Sequence, residues 1–334
     1  MDQAEVVKYA QLRGGAWSLL VLRGDETVLE ARRNCGPDDL FYTFSVGKPL
    51  TALAVHLLAH RGRLDLDEPI AHHWPKYARH GKATITPRHV LTHTAGVPLS
   101  TGSELGDMLA MRWPRLSTWL AQRARPVTPP GEALKYHIIS FGFILGELVR
   151  RVDGRPIERF IQEEFFTPLG LDHSHLSLPR GLQSHAVPLR GQTRPDRFTA
   201  YGINRRAGRR AVVPASSLQT TARDLGAFYR VLLRDGATAD GTQVIPPDVV
   251  HAARQPVQPS LPRYGTGFQL GGLGSKPDPT TFGHNGSNVC TAWADPVADV
   301  VFCYLTDTVH QSPSSFVQMG LVADAAWTCA LGHA

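Results

Sequence analysis

The stretch "FYTFSVGKPL", residues 41–50, places Ser45 three residues before Lys48, with Pro49 directly behind. On a helix, side chains three residues apart share one face with Cβ atoms about 5–6 Å apart, so these two can share a hydrogen bond. Proline is tolerated in the first turn of a helix, where its missing N–H costs little. The stretch therefore predicts a helix that carries a serine and a lysine side by side at its start.

Such a pair is suited to nucleophilic catalysis if the lysine is neutral. A serine hydroxyl is a poor nucleophile until a base takes its proton. Burial lowers a lysine pKa, and the positive end of the helix dipole also disfavours the ammonium form. Backbone N–H groups at the helix start suit a developing oxyanion. The spacing alone is weak evidence, because 6 lysines and 17 serines in 334 residues produce such a match in about one sequence in three.

The composition is that of a globular, enzyme-sized chain. Its 334 residues exceed the usual size of one domain, and 42% hydrophobic with 19% charged residues excludes a disordered chain. No run of about 18 apolar residues is long enough to cross a bilayer. The opening "MDQAEVVKYAQLRGG" has acidic residues and lacks the basic-then-apolar pattern of a secretory signal, so a cytoplasmic location is expected.

The first third of the chain predicts a β-hairpin followed by a helix. Apolar or alternating segments at 16–22 and 27–31 flank the turn "RGDE". From Leu50 the apolar positions recur at helical spacing, and Gly62 suits the end of that helix. Further helices are predicted for "SFGFILGELVRRV" and "PIERFIQEEFF".

The last third predicts a helix, antiparallel strands and a final helix. The segment "ARDLGAFYRVLLRDG" has helical spacing up to Gly236, and "YGTGFQLGGLG", "NVCTAWA" and "VVFCYLTD" have the pattern of strands. Ser312 is the expected N-cap of the last helix. The predicted fold class is α+β: an antiparallel sheet flanked by helices, with an inserted, mostly helical domain. We assign 1–64 with 208–334 to the sheet domain and 65–207 to the helical one, with a pocket between them.

Charge and cysteine patterns indicate no special partner. The net charge is +6, but the arginines are spread along the chain with one dense cluster, "RRAGRR" at 205–210. We interpret the cluster as a solvated loop, with attraction of an acidic substrate or partner as the less favoured alternative. No nucleic-acid or membrane partner is expected. Far-apart cysteines without zinc spacing predict reduced, buried thiols at Cys35, Cys290, Cys303 and Cys329.

Three other chemistries are disfavoured. The histidine segments "AHHW", "RHVLTH" and "DHSH" have no third ligand at the spacing of a zinc motif. We therefore expect surface or structural histidines, and we expect neither a metal nor an organic cofactor. "GGLGSK" lacks the spacing of a phosphate-binding loop. The chain has no "GxSxG" motif, which disfavours an α/β-hydrolase.

Several motifs in one order resemble those of the penicillin-binding-protein-like serine hydrolases, which include class C β-lactamases, D-amino peptidases and carboxylesterases. The first is "TFSVGKPLTALAVHLLAHRGRLDLDEPI". It is followed by "ITPRHVLTHTAGVP", "FTPLGLDHSHL", "LQTTARDLGAFYRVLLRDG", "YGTGF" and "FGHNGSNVCTAWADP", which together cover most of residues 40–307. The resemblance implies the β-lactamase/transpeptidase-like fold, with Ser45 as nucleophile and Lys48 as general base.

The second family motif supplies a tyrosine that shares in proton transfer. Tyr136 in "LKYHIISFGFILGELV" matches it, because it precedes the same kind of helix. The lactamase form of this motif is Tyr-x-Asn, whereas Ile138 stands at the third position here. The asparagine that would bind a lactam or peptide amide is therefore missing, and this favours the esterase branch. The alternative for Tyr136 is a buried ring with a purely structural role.

The third family motif is Lys-Thr-Gly in lactamases and often His-x-Gly in esterases. His284 and Gly286 in "HNGS" match it, and Ser287 would donate its backbone N–H to the oxyanion hole together with Ser45. A histidine in place of the lysine removes a permanent cation, which favours neutral esters over substrates anchored by a carboxylate. His93 in "LTHTAG" is expected to hold a turn.

The predicted function is hydrolysis of small-molecule carboxylic esters through an acyl-enzyme on Ser45, with Lys48 and Tyr136 as general base and acid. A β-lactam or D-peptide amide hydrolase, an acyltransferase on the same fold and a catalytically silent binding relative remain alternatives. The oligomeric state, the natural acyl group and the natural alcohol do not follow from the sequence.

Overall fold

The computed structural model describes residues 3–99, 114–258, 261–310 and 312–332. Its centre is an eight-stranded antiparallel sheet with the strand order β2-β1-β11-β10-β9-β8-β7-β6. The strands are β1 Trp17–Arg23, β2 Glu26–Arg33, β6 Pro256–Gln258, β7 Leu261–Gly265, β8 Gln269–Leu270, β9 Phe282–Gly286, β10 Cys290–Asp295 and β11 Val300–Thr306. The predicted hairpin at 16–31 is confirmed as β1 and β2.

The two ends of the chain complete one sheet, because β1 pairs with β11 along its whole length, from Trp17 with Thr306 to Arg23 with Val300. Strand side chains alternate between the two faces of a sheet. Leu19 and Val21 accordingly pack in one core cluster, whereas Leu20 packs in the other. Both faces are covered, which explains why β11 is buried at every position.

One face is covered by the two terminal helices, α1 (Gln3–Gln11) and α11 (Pro313–Gly332). Helix α1 is absent from the sequence prediction, although Val6 and Ala10 have the spacing of one helix face and are both fully buried. The predicted N-cap of α11 is confirmed, since the Ser315 N–H donates to Ser312 Oγ at 3.3 Å. Together the helices hold the chain ends against the sheet.

The other face is covered by α2 (Lys48–His60), α9 (Ala222–Leu233) and helices that lie between these two in the sequence. Helix α2 ends near Gly62, as the sequence predicts. The remaining helices are α3 Pro87–Leu91, α4 Pro114–Arg123, α5 Ser140–Asp153, α6 Ile157–Ile161 with a π-helical extension Gln162–Phe166, α7 Arg194–Asn204, α8 Arg206–Arg210 and α10 Pro247–Arg254. These observations confirm the predicted antiparallel sheet flanked by helices.

Two short strand pairings lie outside the main sheet. Strands β3 (Phe41–Tyr42) and β5 (Gln219–Thr220) pair antiparallel immediately before Ser45. Strands β4 (Arg190–Gly191) and β12 (Thr308–Val309) pair in parallel beside the end of β11. The first pairing fixes the segment that leads into α2.

The interpretation of 205–210 as a solvated loop is confirmed for the exposure of Arg205, Arg206 and Arg210 but is wrong about the loop and about Arg209. Residues Arg206–Arg210 form α8, and the Arg209 side chain is only 2% exposed. Its guanidinium donates to the Val187 carbonyl at 2.5 Å and to Asn204 Oδ1 at 3.0 Å. A buried arginine is stable only when such acceptors surround it, and these acceptors come together only in the folded chain. Cys290, Cys303 and Cys329 are buried and outside any disulfide, as predicted, whereas Cys35 is partly exposed.

Candidate active site

Ser45 lies on a tight 3₁₀ turn, Phe44–Gly47, that leads directly into α2. The residue before it, Phe44, has a φ of +52°, in the left-handed region that non-glycine residues rarely adopt. Strain of this kind persists only where the surrounding structure enforces it, and it clusters at functional sites. Ser45 itself is 8% exposed. The turn therefore presents a single, nearly buried hydroxyl at the start of a helix.

Lys48 is the first residue of α2, and its side-chain nitrogen faces the Ser45 hydroxyl. Lys48 Nζ lies 3.1 Å from Ser45 Oγ, which confirms the side-by-side arrangement expected from the spacing. The side chain is 1% exposed, and this burial lowers the pKa of Lys48 to about 7. A large fraction of Lys48 is therefore a neutral amine at neutral pH.

Two backbone carbonyls complete the surroundings of Lys48. Its Nζ donates to the Ile138 carbonyl at 2.7 Å and to the Ala215 carbonyl at 3.2 Å. Ala215 can come so close because α5 has a glycine at the contact, where a Cβ on Gly142 would lie 2.3 Å from Ala215 N. Sequence reasoning missed both groups, because a carbonyl contributed by the backbone leaves no side-chain pattern.

Tyr136 is brought to the same place. Its hydroxyl shares a hydrogen bond with the Ser45 side chain, and Lys48 Nζ lies 4.9 Å from the centre of its ring. Desolvation in the cleft raises the pKa of Tyr136 far above its usual value. The phenol is therefore protonated at every pH near neutrality and can donate a hydrogen bond to the serine oxygen.

His93 supports the tyrosine and has a larger part than the turn-holding role expected from the sequence. Its backbone φ is +60°, and its ring packs against the Tyr136 ring with the centres 4.5 Å apart and the planes tilted by 49°. The backbone N–H of His137 donates to His93 Nδ1 at 3.1 Å, and this hydrogen bond fixes the orientation of the His93 ring. Burial lowers the pKa of His93 well below its usual value, so the imidazole is neutral. A left-handed histidine has no sequence signal beyond the family pattern.

The third predicted motif lies on β9. His284 is 2% exposed, and its ring centre lies 6.2 Å from that of Tyr136. His284 Nδ1 lies 2.8 Å from the Asn285 carbonyl, which can only accept, so Nδ1 carries the proton. Burial, with a further contribution from Lys48, lowers the pKa of His284 to about 3. The position occupied by a cation in lactamases is thus neutral here.

Gly286 lets β9 touch the Ser45 turn. A Cβ at this position would lie 2.1 Å from the Thr43 carbonyl oxygen, a distance that no side chain tolerates. The next residues form a two-residue hairpin turn, because Ser287 and Asn288 both have a φ of +53° and the Val289 N–H donates to the Gly286 carbonyl at 2.9 Å. This turn carries the backbone N–H of Ser287 beside the serine turn.

Arg13, which follows α1, reaches the far side of that turn. Its side chain is 7% exposed and donates to the carbonyl of Asn288 and, at 3.0 Å, to that of Thr308. Buried cations need such acceptors. The N-terminal segment, which the sequence analysis left without a role, therefore fixes the turn that bears Ser287.

The segment "AHHW" belongs to a group of side chains that does not include His93 or His284. Within the described ranges, Glu68, His72 and His73 are the one group of three potential metal ligands whose ligand atoms lie within 4.8 Å of one another. Glu68 and His72 are both exposed, with 3.8 Å between the carboxylate and the ring nitrogen. Exposed groups of this kind are common without a bound ion, so the expected absence of a metal cofactor stays a prediction.

The geometry and the sequence lead to one family. The Beta-lactamase family matches residues 3–326 of the chain. The chain belongs to the Beta-lactamase family. The resemblance noted in the sequence is therefore confirmed, and the protein is a hydrolase of this family, in which the Ser-x-x-Lys motif is typical.

Individual relatives point to both esterases and penicillin-binding proteins. The "Esterase/beta-lactamase LipL" of Mycobacterium tuberculosis is 26% identical over 295 residues, which are 78% of this chain and 67% of the relative. "Penicillin-binding protein 4" of Amycolatopsis lactamdurans is 31% identical over 222 residues, 62% of this chain and 54% of the relative. A solved family VIII carboxylesterase superposes with a TM-score of 0.82 over 98% of this chain and 97% of its own, at 24% identity. The last comparison shows the fold.

A search for membrane-spanning segments gave a negative result. Among the described residues, no helix combines the length and the apolar composition needed to cross a bilayer.

Proposed function

We propose that this β-lactamase-family protein hydrolyses neutral carboxylic esters through an acyl-enzyme on Ser45. The observation that carries the proposal is the Lys48 amine, which burial makes neutral near pH 7 and which lies 3.1 Å from Ser45 Oγ. The reaction has two steps. In the first, Ser45 Oγ bonds to the ester carbonyl carbon and the bond from that carbon to the alcohol oxygen breaks. In the second, water attacks the acyl-serine and releases the acid.

The acceptors around Lys48 support its role as base. A neutral amine has two N–H groups and one lone pair. The carbonyls of Ile138 and Ala215 accept the two N–H groups, which leaves the lone pair directed at the Ser45 hydroxyl. Ser45 then donates its proton to Lys48 as it attacks. The transient ammonium keeps both carbonyls as partners, so proton transfer needs no rearrangement.

Tyr136 suits the opposite task. Because desolvation raises its pKa while it lowers that of Lys48, the lysine and not the tyrosine takes the serine proton. The Tyr136 hydroxyl instead donates a hydrogen bond toward Ser45 and can pass a proton, replenished from Lys48, to the departing alcohol oxygen. His93, packed against the ring at a tilt of 49°, holds this orientation.

The oxyanion is assigned to two backbone N–H groups, those of Ser45 and Ser287. The first lies at the start of a helix, where N–H groups are unpaired and the helix dipole favours negative charge. The second lies on the hairpin turn that Gly286 brings against the serine turn. Two donors converging on one oxygen stabilise the tetrahedral intermediate more than they stabilise the substrate.

Two features support esters over β-lactams and peptide amides. Ile138 has a side chain 38% exposed beside the site, at the place where an amide-binding asparagine would stand. His284 is neutral at physiological pH, so it offers no permanent charge to a substrate carboxylate. The relatives do not distinguish these substrates, since LipL is named both an esterase and a β-lactamase and another relative is a penicillin-binding protein.

The test combines labelling with parallel assays. A fluorophosphonate added to the full chain should give one adduct by intact mass, on Ser45, and none in Ser45→Ala. The same preparation should hydrolyse p-nitrophenyl esters far faster than nitrocefin. A folded protein that neither labels nor turns over would indicate a silent binding relative. Faster nitrocefin hydrolysis would indicate a β-lactamase and would overturn the assignment to esters.

A further inference from the structure

The segment that contains α7 and α8 has a larger positive charge than the whole chain. Residues 173–222 contain eight arginines, one aspartate and no lysine or glutamate, a charge of +7 in a chain whose total is +6. The aspartate, Asp196, is 5% exposed and is occupied in capping α7 through Thr193. The rest of the chain is therefore close to neutral, and this segment is almost uniformly cationic.

Most of these arginines point to solvent without a carboxylate partner. Arg209 is buried, and Arg190 pairs with Asp307 at 2.9 Å. In the described part of the chain, no ion pair involves the other six, all of which are exposed: Arg180, Arg194, Arg197, Arg205, Arg206 and Arg210. An ion-paired arginine belongs to the local structure, whereas these six are free to neutralise an external anion.

Helix α7 arranges part of this charge together with two exposed aromatic rings. At 3.6 residues per turn, four of its exposed residues, Arg194, Arg197, Phe198 and Tyr201, fall within an arc of about 100°. Arg205 follows directly as the C-cap of the helix. Phe198 is 51% and Tyr201 62% exposed, whereas the opposite side of the helix is buried through Asp196, Ala200 and Ile203. The Arg205 guanidinium lies 5.4 Å over the Tyr201 ring.

We infer that the α7–α8 face, defined by Arg194, Arg197, Arg205, Arg206 and Arg210 with Phe198 and Tyr201, docks on an anionic phospholipid surface. Cationic side chains bind the phosphate-bearing headgroups, and aromatic rings between them lie at the level of those headgroups. A folded protein partner usually carries both signs of charge, and this face has no exposed carboxylate to meet its cations. This proposal differs from the expectation of no membrane partner, which rested on arginines that are spread along the sequence with one dense cluster.

Vesicle sedimentation of the full chain tests the proposal. We expect cosedimentation with vesicles of phosphatidylcholine and phosphatidylglycerol, at about one anionic lipid in three, and none with phosphatidylcholine alone. Binding should disappear in about 1 M salt. The double variant Arg194→Glu and Arg197→Glu should bind at least about 30-fold more weakly. Phe198→Ser with Tyr201→Ser should weaken binding at constant charge, which a purely electrostatic attraction does not predict.

The matched control is Arg33→Glu with Arg125→Glu, which makes the same change in net charge at exposed arginines outside the face. It should retain most of the binding. Equal losses in the control and the α7 variant would overturn the proposal, as would equal binding to neutral vesicles. Binding to poly-glutamate but not to anionic vesicles would replace the bilayer with an acidic polypeptide. Ester turnover by every variant checks that the fold is intact and separates this test from the proposed hydrolysis.

Discussion

The protein contains two buried lysines whose surroundings are nearly alike, Lys48 and Lys82. Their side chains are 1% and 0% exposed, and each nitrogen lies over a tyrosine ring, 4.9 Å from Tyr136 and 5.3 Å from Tyr77. Burial lowers both pKa values, to about 7 and about 8. Burial beside an aromatic ring therefore does not by itself distinguish a catalytic lysine from a structural one.

The acceptors distinguish them. Lys82 Nζ donates to three backbone carbonyls, those of Arg79, Gln122 and Ala124, at 2.6–2.8 Å. Three groups that can only accept match the three N–H groups of an ammonium, so Lys82 is held in its charged form. Lys48 has two carbonyls and a hydroxyl that can itself donate. Where Lys82 has a third carbonyl, Lys48 has the Ser45 hydroxyl. A neutral Lys48 amine can therefore donate to its two carbonyls and accept from this hydroxyl.

The largest expected effect separates the two lysines by activity. Lys48→Met should lower kcat/KM for a p-nitrophenyl ester by about 10³-fold or more, because Lys48 is the base that the proposed reaction assigns to the Ser45 proton. The matched control is Lys82→Met, for which the folded fraction should turn over within about threefold of the wild type. Similar losses in both variants would show that neither lysine has a special role.

The second effect separates them by stability. Lys82→Met leaves three buried carbonyls without donors and should lower the free energy of unfolding by about 3 kcal/mol. Lys48→Met leaves two buried carbonyls, those of Ile138 and Ala215, without donors, and because it also removes an already partly uncharged amine it should cost less, about 2 kcal/mol. Urea denaturation followed by fluorescence measures both. A larger loss for Lys48→Met would mean that Lys48 is held as an ammonium.

A smaller loss of activity is expected from breaking the contact between Gly286 and Thr43, which is present beside Lys48 and has no counterpart beside Lys82. Gly286→Ala places a methyl group 2.1 Å from the Thr43 carbonyl and must move β9 away from the serine turn. A displacement of about 1 Å at a reacting centre typically costs about 10²-fold in rate, so kcat should fall by about that factor. Gly202→Ala, where the added carbon meets nothing within 4 Å, is the control and should be silent.

The sequence predicts much of the fold where the pattern is local. The hairpin β1–β2, the helix behind Ser45 and the N-cap at Ser312 all depend on neighbouring residues. Prediction failed for "RRAGRR", because the acceptors that bury Arg209 come from Val187 and Asn204, which adjoin it only after folding. Helix α1 is different, because its buried residues Val6 and Ala10 are four apart, the spacing of one helix face. Its pattern is local, and the prediction omitted it although the sequence contains it.

The same division holds for the site. Side chains with a motif, such as the Ser45–Lys48 pair, are identified from spacing and family order. The groups that set the chemistry are invisible in sequence: the carbonyls of Ile138 and Ala215 around Lys48, and the left-handed backbone of His93 under Tyr136. For this reason Lys82, which has no motif, also escaped notice although it is equally buried.

The pH dependence of Ser45 acylation tests the central claim most directly. Lys48 acts in its neutral form, whose fraction rises with pH, so the acylation rate should increase about tenfold per unit below pH 7 and level off above it. Rapid mixing with a p-nitrophenyl ester, with the adduct identified by intact mass, gives the rate and the site together. An ionisation near pH 7 that governs an adduct on Ser45 is the predicted result. A rate that is constant through the neutral range, or an adduct that persists in Ser45→Ala, would contradict it.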